Sequence, residues 1–144
     1  MAVLRGHAKP DISTKRAFLN ALTAARSVAY SLGGASGIYL QEVLKDNGIF
    51  HDVEAKATTI AQGFTAEQLV NGNADLAIQQ MSELMVVEGV DIVGPFPDEV
   101  QQLTPFSVAI VNGCENRRIA GEFIDYLLSS RCRETYLQNG LQYR

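Results

Sequence analysis

A glycine-rich loop near the start of the chain is the segment whose residue types best suit ligand chemistry. It follows the short apolar run Ser27–Tyr30 and carries Gly33, Gly34 and Gly37 before a helical pattern begins. Glycines at such a position let backbone N–H groups approach a small anion, and the helix dipole stabilises the negative charge. The same glycines also suit an ordinary turn between a strand and a helix, so the loop alone leaves both interpretations open.

The donors of this loop would be uncharged. Ser31 and Ser36 supply hydroxyl groups, and the sequence has no cation between Arg26 and Lys45. Backbone and hydroxyl donors can hold an anion without a positively charged side chain, because a helix leaves its first N–H groups without intrahelical partners. An anion site made of neutral donors is therefore chemically sensible here, and a plain turn with a serine cap remains the alternative.

Two further polar segments follow similar short runs. Gln62 and Gly63 come after an alternating segment and precede the next helical pattern, while Gln79 and Gln80 end the run over residues 74–80. In open α/β sheets, ligands bind beyond the carboxyl ends of the strands. We expect these amides either to meet a ligand there or to hydrogen-bond to neighbouring loops.

Catalytic and metal-binding patterns are sparse in this sequence. It has two histidines and two cysteines, and no phosphate-loop, dinucleotide, serine-hydrolase or zinc-protease motif. A helix between Cys114 and Cys132 would separate the thiols by roughly 20 Å, so both are expected to be free. The sequence predicts no catalytic residue, no metal ligand, no cofactor and no enzyme activity. Were the chain an enzyme, Cys132 or His51 would be the candidate groups.

The composition excludes some partners. The chain has 144 residues, 47% of them hydrophobic and 19% charged, with a net charge of −4. This is enough for one domain with a hydrophobic core. The few basic residues are scattered, which argues against nucleic acid or an acidic membrane surface as the main partner.

Short strand patterns alternate with helical ones along the chain. This alternation predicts an α/β fold with a largely parallel sheet, formed by residues 1–144 as a single domain. Ser13 or Thr14 is expected to cap the first helix. The strand predictions are residues 1–5, 27–30, 52–58, 74–80, 90–97 and 104–113, the last being the strongest, and helices are expected over residues 15–25, 38–46, 66–72, 116–130 and 133–140.

Several segments, taken in order, resemble the C-terminal part of molybdate-binding solute-binding proteins, the periplasmic receptors of molybdate ABC transporters. They are "KPDIST…AFLNALTAARSVAYS", "ASGIYLQEVLKDNGI", "LVNGNADLAIQQMSEL", "VDIVGPFPDEVQ", "PFSVAIVNG" and "FIDYLLSSRCRETYLQNGL". The resemblance covers nearly the entire chain. It implies the second lobe, a three-layer α/β/α lobe with hinge-crossing strands, of a protein whose first lobe would precede Met1.

The resemblance also implies site residues. Proteins of this family close around a tetrahedral oxyanion with uncharged donors, here a molybdate- or tungstate-like ion. The corresponding positions are the turn at Ala35, Ser36 and Gly37, the loop at Gln62 and Gly63, and Gln80. Gln80 stands where the family uses a tyrosine, and this departure leaves room for another oxyanion or a small carboxylate.

The implied partners are ABC-transporter membrane subunits, and a homodimer could form through the exposed cleft or hinge face. The resemblance implies a periplasmic protein, whereas a chain made as it stands, with no signal peptide, would be cytoplasmic. Two alternatives stay open at this point. One is a ligand-sensing module of a transcription regulator, and the other is a truncated lobe that binds a small carboxylate or nothing.

Overall fold

Five strands form one mixed sheet in the computed structural model of the protein, which describes residues 1–143. They are β1 (Ala2–Leu4), β2 (Val28–Ser31), β3 (Ala57–Ile60), β4 (Leu76–Ala77) and β5 (Val90–Ile92). Their order across the sheet is β3-β2-β4-β1-β5. Strand β2 is parallel to β3 and β4, whereas β1 is antiparallel to β4 and β5. The predicted α/β fold with a mixed, mostly parallel sheet is confirmed.

Helices connect the strands. Within residues 1–143 they are α1 (Lys15–Ala24), α2 (Ala35–Asp46), α3 (Phe50–Glu54), α4 (Glu67–Val70), α5 (Met81–Leu84), α6 (Arg117–Leu127) and α7 (Ser130–Gln138), with a 3-10 turn at Asp98–Val100. Helix α1 begins after Thr14, whose Oγ1 accepts a hydrogen bond from the Ala17 N–H at 3.2 Å. This is the cap that the sequence predicts, because a threonine oxygen satisfies one of the unpaired first-turn donors.

Alternate residues of β2 enter cores on opposite faces of the sheet. Val28 and Tyr30 belong to one cluster with residues of α1, α2 and α3, while Ala29 belongs to another with residues of α4 and α5. Successive side chains of a strand point to opposite faces, so helices cover the sheet on both sides. The result is the three-layer α/β/α arrangement.

The strand predicted over residues 52–58 is wrong in its first half. Residues Phe50–Glu54 form α3, and β3 starts only at Ala57. Phe50 and Val53 are three positions apart, a spacing that places both on one helical face, and both pack in the core around α1 and α2. The weak alternation of this segment does not reveal that one helical turn buries these two side chains.

The chain divides into two compact units, residues 1–102 with the sheet, and the segment from Leu103 onward with α6 and α7. The strand predicted over residues 104–113 is wrong, since the structure has no strand within that range. Phe106 is 69% exposed and Val111 is 72% exposed. A strand needs a neighbour to accept and donate its ladder hydrogen bonds, and apolar alternation alone does not supply one. Both cysteines are free, as predicted.

Candidate functional site

The carboxyl ends of β2, β3 and β4 lie at one edge of the sheet. In the parallel pairs, Ser31 is level with Ile60, and Ala29 is level with Ala77. From β2 the chain passes to β3, which lies on one side of β2. From β3 it then crosses to β4, which lies on the other side of β2. Such a reversal of strand order opens a crevice at the carboxyl edge, the usual place for a ligand in this class of fold. The loops before α2, α4 and α5 all emerge there.

Helix α2 begins at this edge without a side-chain cap. Its N-cap residue is Gly34, which has no side chain to offer to the first-turn donors. The carbonyl oxygen of Gly34 accepts hydrogen bonds from the N–H groups of Gly37 and Ile38, each at 3.0 Å. The N–H groups of Ala35 and Ser36 precede these in the first turn, where the helix dipole is most positive. Ala35 is exposed and Ser36 is half-buried.

The hydroxyl of Ser31 serves the loop that precedes α2. Its Oγ accepts a hydrogen bond from the Gly34 N–H at 3.2 Å, and the side chain is buried. The sequence indicates Ser31 as a donor to a ligand, whereas here its oxygen acts as an acceptor within the protein. Ser31 therefore holds the turn from which the α2 donors project.

Gly37 lies where α2 packs closely against the end of β2. A β-carbon at this residue would lie 1.7 Å from the carbonyl oxygen of Ser31, and Gly37 is buried. Only glycine permits this close approach of α2 to the end of β2. Gly33, by contrast, is exposed, and a β-carbon there would meet nothing within 4 Å.

The loop between β3 and α4 contributes Gln62 and Gly63, both exposed. Gly63 has a φ angle of +93°, in the left-handed region that favours glycine. Its carbonyl oxygen accepts a hydrogen bond from Nε2 of Gln79 at 3.1 Å. A hydrogen-bonded amide thus joins the loop after β3 to the loop after β4. For Gln79 this is the second of the two alternatives that the sequence left open, a hydrogen bond to a neighbouring loop.

Gln80 lies at the N-cap position of α5 and is half-buried. Its backbone N–H donates to Oε2 of Glu83 at 3.3 Å, and its carbonyl oxygen accepts from the Glu83 N–H at 3.0 Å. This reciprocal pairing fixes the start of α5. Gln80 therefore lies just beyond the carboxyl end of β4, and the two hydrogen bonds hold its backbone in place.

The hydrogen bonds between Thr65 and Gln79 are the feature of this site that the sequence did not predict. Thr65 is fully buried, and its N–H and Oγ1 lie 2.8 Å and 3.1 Å from Oε1 of Gln79. A buried polar side chain needs a hydrogen-bond partner. The pair is 14 positions apart in sequence and joins loops of strands that are not neighbours in the sheet. No local pattern marks such a contact.

Neither of the two groups considered for catalysis belongs to the loops of this site. His51 is on α3, which precedes β3, and its side chain is 93% exposed beside Glu54. Cys132 is buried on α7 in the second unit, where its Sγ donates to the carbonyl oxygen of Tyr126. Among residues 1–143 there is no group of three or more histidine, cysteine or acidic residues that could hold a metal ion. None of the helices in that range is long and apolar enough to cross a membrane.

Comparison with known proteins gives a family match and two relatives. Residues 1–142 match the family described as bacterial extracellular solute-binding protein. An aconitate isomerase from Pseudomonas sp is 38% identical over 143 residues, which are 99% of this chain and 54% of that protein. The molybdate-binding protein ModA of Escherichia coli strain K12 is 29% identical over 106 residues, which are 73% of this chain and 41% of that protein. The chain spans about half the length of the relatives it matches.

These similarities confirm the predicted solute-binding class and correct one expectation. The sequence predicts no enzyme activity, but a relative that is 38% identical across nearly the entire chain is named as an enzyme. The prediction of a non-catalytic protein is therefore wrong. The reason is that sequence motifs for nucleophiles and metals mark only some classes of enzyme, so their absence does not exclude catalysis.

Proposed function

Since the chain belongs to the bacterial extracellular solute-binding protein family, we propose that residues 1–102 form one wall of a cleft for a small carboxylate anion. The observation that carries this proposal is the uncapped start of α2, where Gly34 leaves the N–H groups of Ala35 and Ser36 free of a side-chain acceptor. Carboxylate oxygens accept such hydrogen bonds strongly, and the helix dipole adds to the attraction.

The ligand class follows from the isomerase relative. Aconitate is a tricarboxylate, so its recognition requires several hydrogen-bond donors arranged around one molecule. The start of α2 and the loop at Gln62 and Gly63 would take one carboxylate group, and Gln80 lies at the same edge. Fixed donors of this kind also stabilise the negative charge of a bound carboxylate. By similarity to the isomerase relative, the proposed activity is binding and isomerisation of a small unsaturated polycarboxylate.

The other wall of such a site would come from the part of the relatives' length that this chain does not cover. We assign this chain to the second lobe, and the segment from Leu103 onward offers a surface for association. Support comes from the exposed apolar side chains of that segment, which include Phe106, Ile119 and Phe123 at 69%, 56% and 58% exposure. Apolar surface of this extent favours association with a partner, either the first lobe or a second copy.

A molybdate-like oxyanion is the second candidate ligand. The similarity to ModA favours it, as does a binding edge built from uncharged donors. In that case the protein would work as a periplasmic receptor that delivers its ligand to ABC-transporter membrane subunits. Molybdate and a carboxylate group both accept N–H hydrogen bonds, so the same helix start serves either ligand.

Calorimetric titration with aconitate, molybdate and sulfate separates the candidates. We expect saturable heat with aconitate and none with sulfate, because sulfate carries no carboxylate groups. Heat with molybdate alone would favour the second candidate. If no anion gives saturable heat, both candidates are contradicted for the chain by itself. A parallel titration with the first half of the Pseudomonas isomerase added tests whether the missing wall restores affinity.

A further inference from the structure

The side-chain amide of Gln79 connects two loops of the candidate site with both of its ends. Its Oε1 accepts from the Thr65 N–H at 2.8 Å and from the Thr65 Oγ1 at 3.1 Å, while its Nε2 donates to the Gly63 carbonyl oxygen at 3.1 Å. A carbonyl oxygen can only accept, and a backbone N–H can only donate, so these partners allow one orientation of the amide.

From this geometry we propose that Gln79 is a positioning residue that fixes the direction of the Gly63–Phe64 peptide and so sets anion affinity. The inference rests on the proposed function, because it concerns how the Gln62–Gly63 loop presents its donors to the same ligand. Gln79 itself does not contact the ligand in this proposal.

The conformation of Gly63 explains why the Gly63–Phe64 peptide needs a hydrogen bond to fix its direction. Its φ of +93° lies in a region that glycine enters freely, and a β-carbon there would meet nothing within 4 Å. No side-chain packing at this residue therefore resists rotation of the peptide that follows it. The hydrogen bond from Gln79 supplies that resistance, and Thr65, which is fully buried, anchors the other end of the amide.

The direction of this peptide matters because its two polar groups are opposed. In a planar trans peptide, the Gly63 carbonyl and the Phe64 N–H point in opposite directions. With the carbonyl held toward Gln79, the N–H of Phe64 points away from it. Rotation of the same peptide would exchange a donor for an acceptor on the open side of the loop, and a carbonyl oxygen repels an anion.

The test replaces the donor end of the amide and keeps the acceptor end. In the Gln79→Glu variant, a carboxylate can still accept from Thr65 but repels the Gly63 carbonyl oxygen. We expect its affinity for aconitate, or for molybdate if that is the ligand bound by the wild type, to fall about tenfold or more. The Gly63 and Phe64 amide resonances should move in an ¹⁵N spectrum, while the Thr65 amide stays protected from exchange.

Gln68→Glu is the matched control. It makes the same change of charge on α4, where Oε1 of the half-buried Gln68 accepts from Asn73 Nδ2 at 3.0 Å. Its affinity should equal that of the wild type within about twofold. A Gln79→Met variant, which removes both ends of the amide without adding charge, should weaken binding as well.

The outcomes separate this inference from the function on which it rests. If the wild type binds and a folded Gln79→Glu protein binds equally well, the role of Gln79 is refuted and the proposed function stands. If the wild type binds none of the anions, the proposed function fails, and the role of Gln79 in binding fails with it. Should both Gln79 variants unfold, the test is made on the wild type by NMR. Rapid exchange of the Gln79 side-chain amide protons, with no contacts to Thr65, would refute the proposal that Gln79 holds the Gly63–Phe64 peptide.

Discussion

The carbonyl oxygen of Ser31 occupies the space where a side chain at Gly37 would begin, since a β-carbon there would lie only 1.7 Å away. The contact joins the last residue of β2 to the first turn of α2. Because the obstacle is backbone rather than a flexible side chain, the helix itself must move to admit an alanine. The position of the α2 donors at the sheet edge thus depends on the absence of one methyl group.

Gly37→Ala should destabilise the protein and displace these donors. We expect the free energy of unfolding to fall by about 3 kcal/mol, at the upper end of the cost of overpacking. Urea denaturation measures this change. Gly33→Ala is the control, since a β-carbon there meets nothing within 4 Å, and its effect should stay within about 0.5 kcal/mol. Equal stability of the two variants would show that α2 can shift without cost.

Ala35→Pro tests the backbone donor at the start of α2. Proline is tolerated at the first helical position, and Gly34 before it already has the extended conformation that a following proline requires. The substitution removes one N–H and leaves the helix in place. Loss of one hydrogen bond to a charged ligand, worth about 1.5–3 kcal/mol, should weaken anion binding about tenfold to a hundredfold in a calorimetric titration.

The control for that variant lies in the second unit. Ser130 is the first residue of α7, and Ser129 before it also has an extended conformation. Ser130→Pro should therefore leave both stability and anion affinity close to those of the wild type. An Ala35→Pro protein that binds the anion as tightly as Ser130→Pro would exclude the Ala35 N–H from the site.

Glu99 gives stability a dependence on pH. Its own backbone N–H and then that of Lys15 lower the pKa of the Glu99 carboxyl below its ordinary value of 4.5. Because the folded pKa is depressed, this contribution is present above pH 4.5 and is lost as pH falls through the folded pKa. Thermal melting should show a smaller loss of Tm on acidification in Glu99→Gln than in the wild type.

The exposed residue Glu88 serves as the control for this charge change. Glu88→Gln should retain the wild-type dependence of Tm on pH. If Glu99→Gln and Glu88→Gln follow the same curve as the wild type, the hydrogen bond from the Lys15 N–H to Glu99, at 3.2 Å, contributes no measurable stability.

The apolar surface of the second unit should govern association. Phe106 and Phe123 are 69% and 58% exposed. Replacing both with serine should shift the molar mass measured by light scattering toward that of a monomer, with the melting transition of residues 1–102 unchanged. A wild-type chain that is already monomeric at all concentrations tested, and that gains no mass with the first half of the isomerase relative, would count against a role for this surface.

The connection from β2 to α2 at the carboxyl end of the sheet could largely be predicted, because local sequence patterns encode it. The apolar run before Ser31 and the glycines after it mark the end of a strand and the start of a helix, and both elements occur. The helix begins at Ala35, three residues earlier than predicted, so Gly37 lies inside α2 rather than in the loop before it. Thr14 is recognisable as a cap for the same reason, since capping depends on residues three or four positions apart. Interactions of short range are visible in a single sequence.

Longer-range features could not be predicted in this way. Gln79 and Gln80 are adjacent amides of one type, yet Gln79 binds Gly63 and Thr65 whereas Gln80 starts α5. Which of the two meets the other loop depends on the path of the chain between β4 and α5, which composition does not reveal. Likewise, the apolar alternation around Phe106 cannot show whether a neighbouring strand exists.

The pairing of β1 has a consequence for how the protein is made. Ala2 is aligned with Ala77 and Ile92, so the first strand lies between two strands that a ribosome synthesises much later. Contacts of such large sequence separation slow folding, because a long loop must close before they form. Strands β2 and β3 with α1 and α2 can assemble early, whereas the nascent first strand must wait until β5 has emerged. Until then, β1 has no complete set of partner strands.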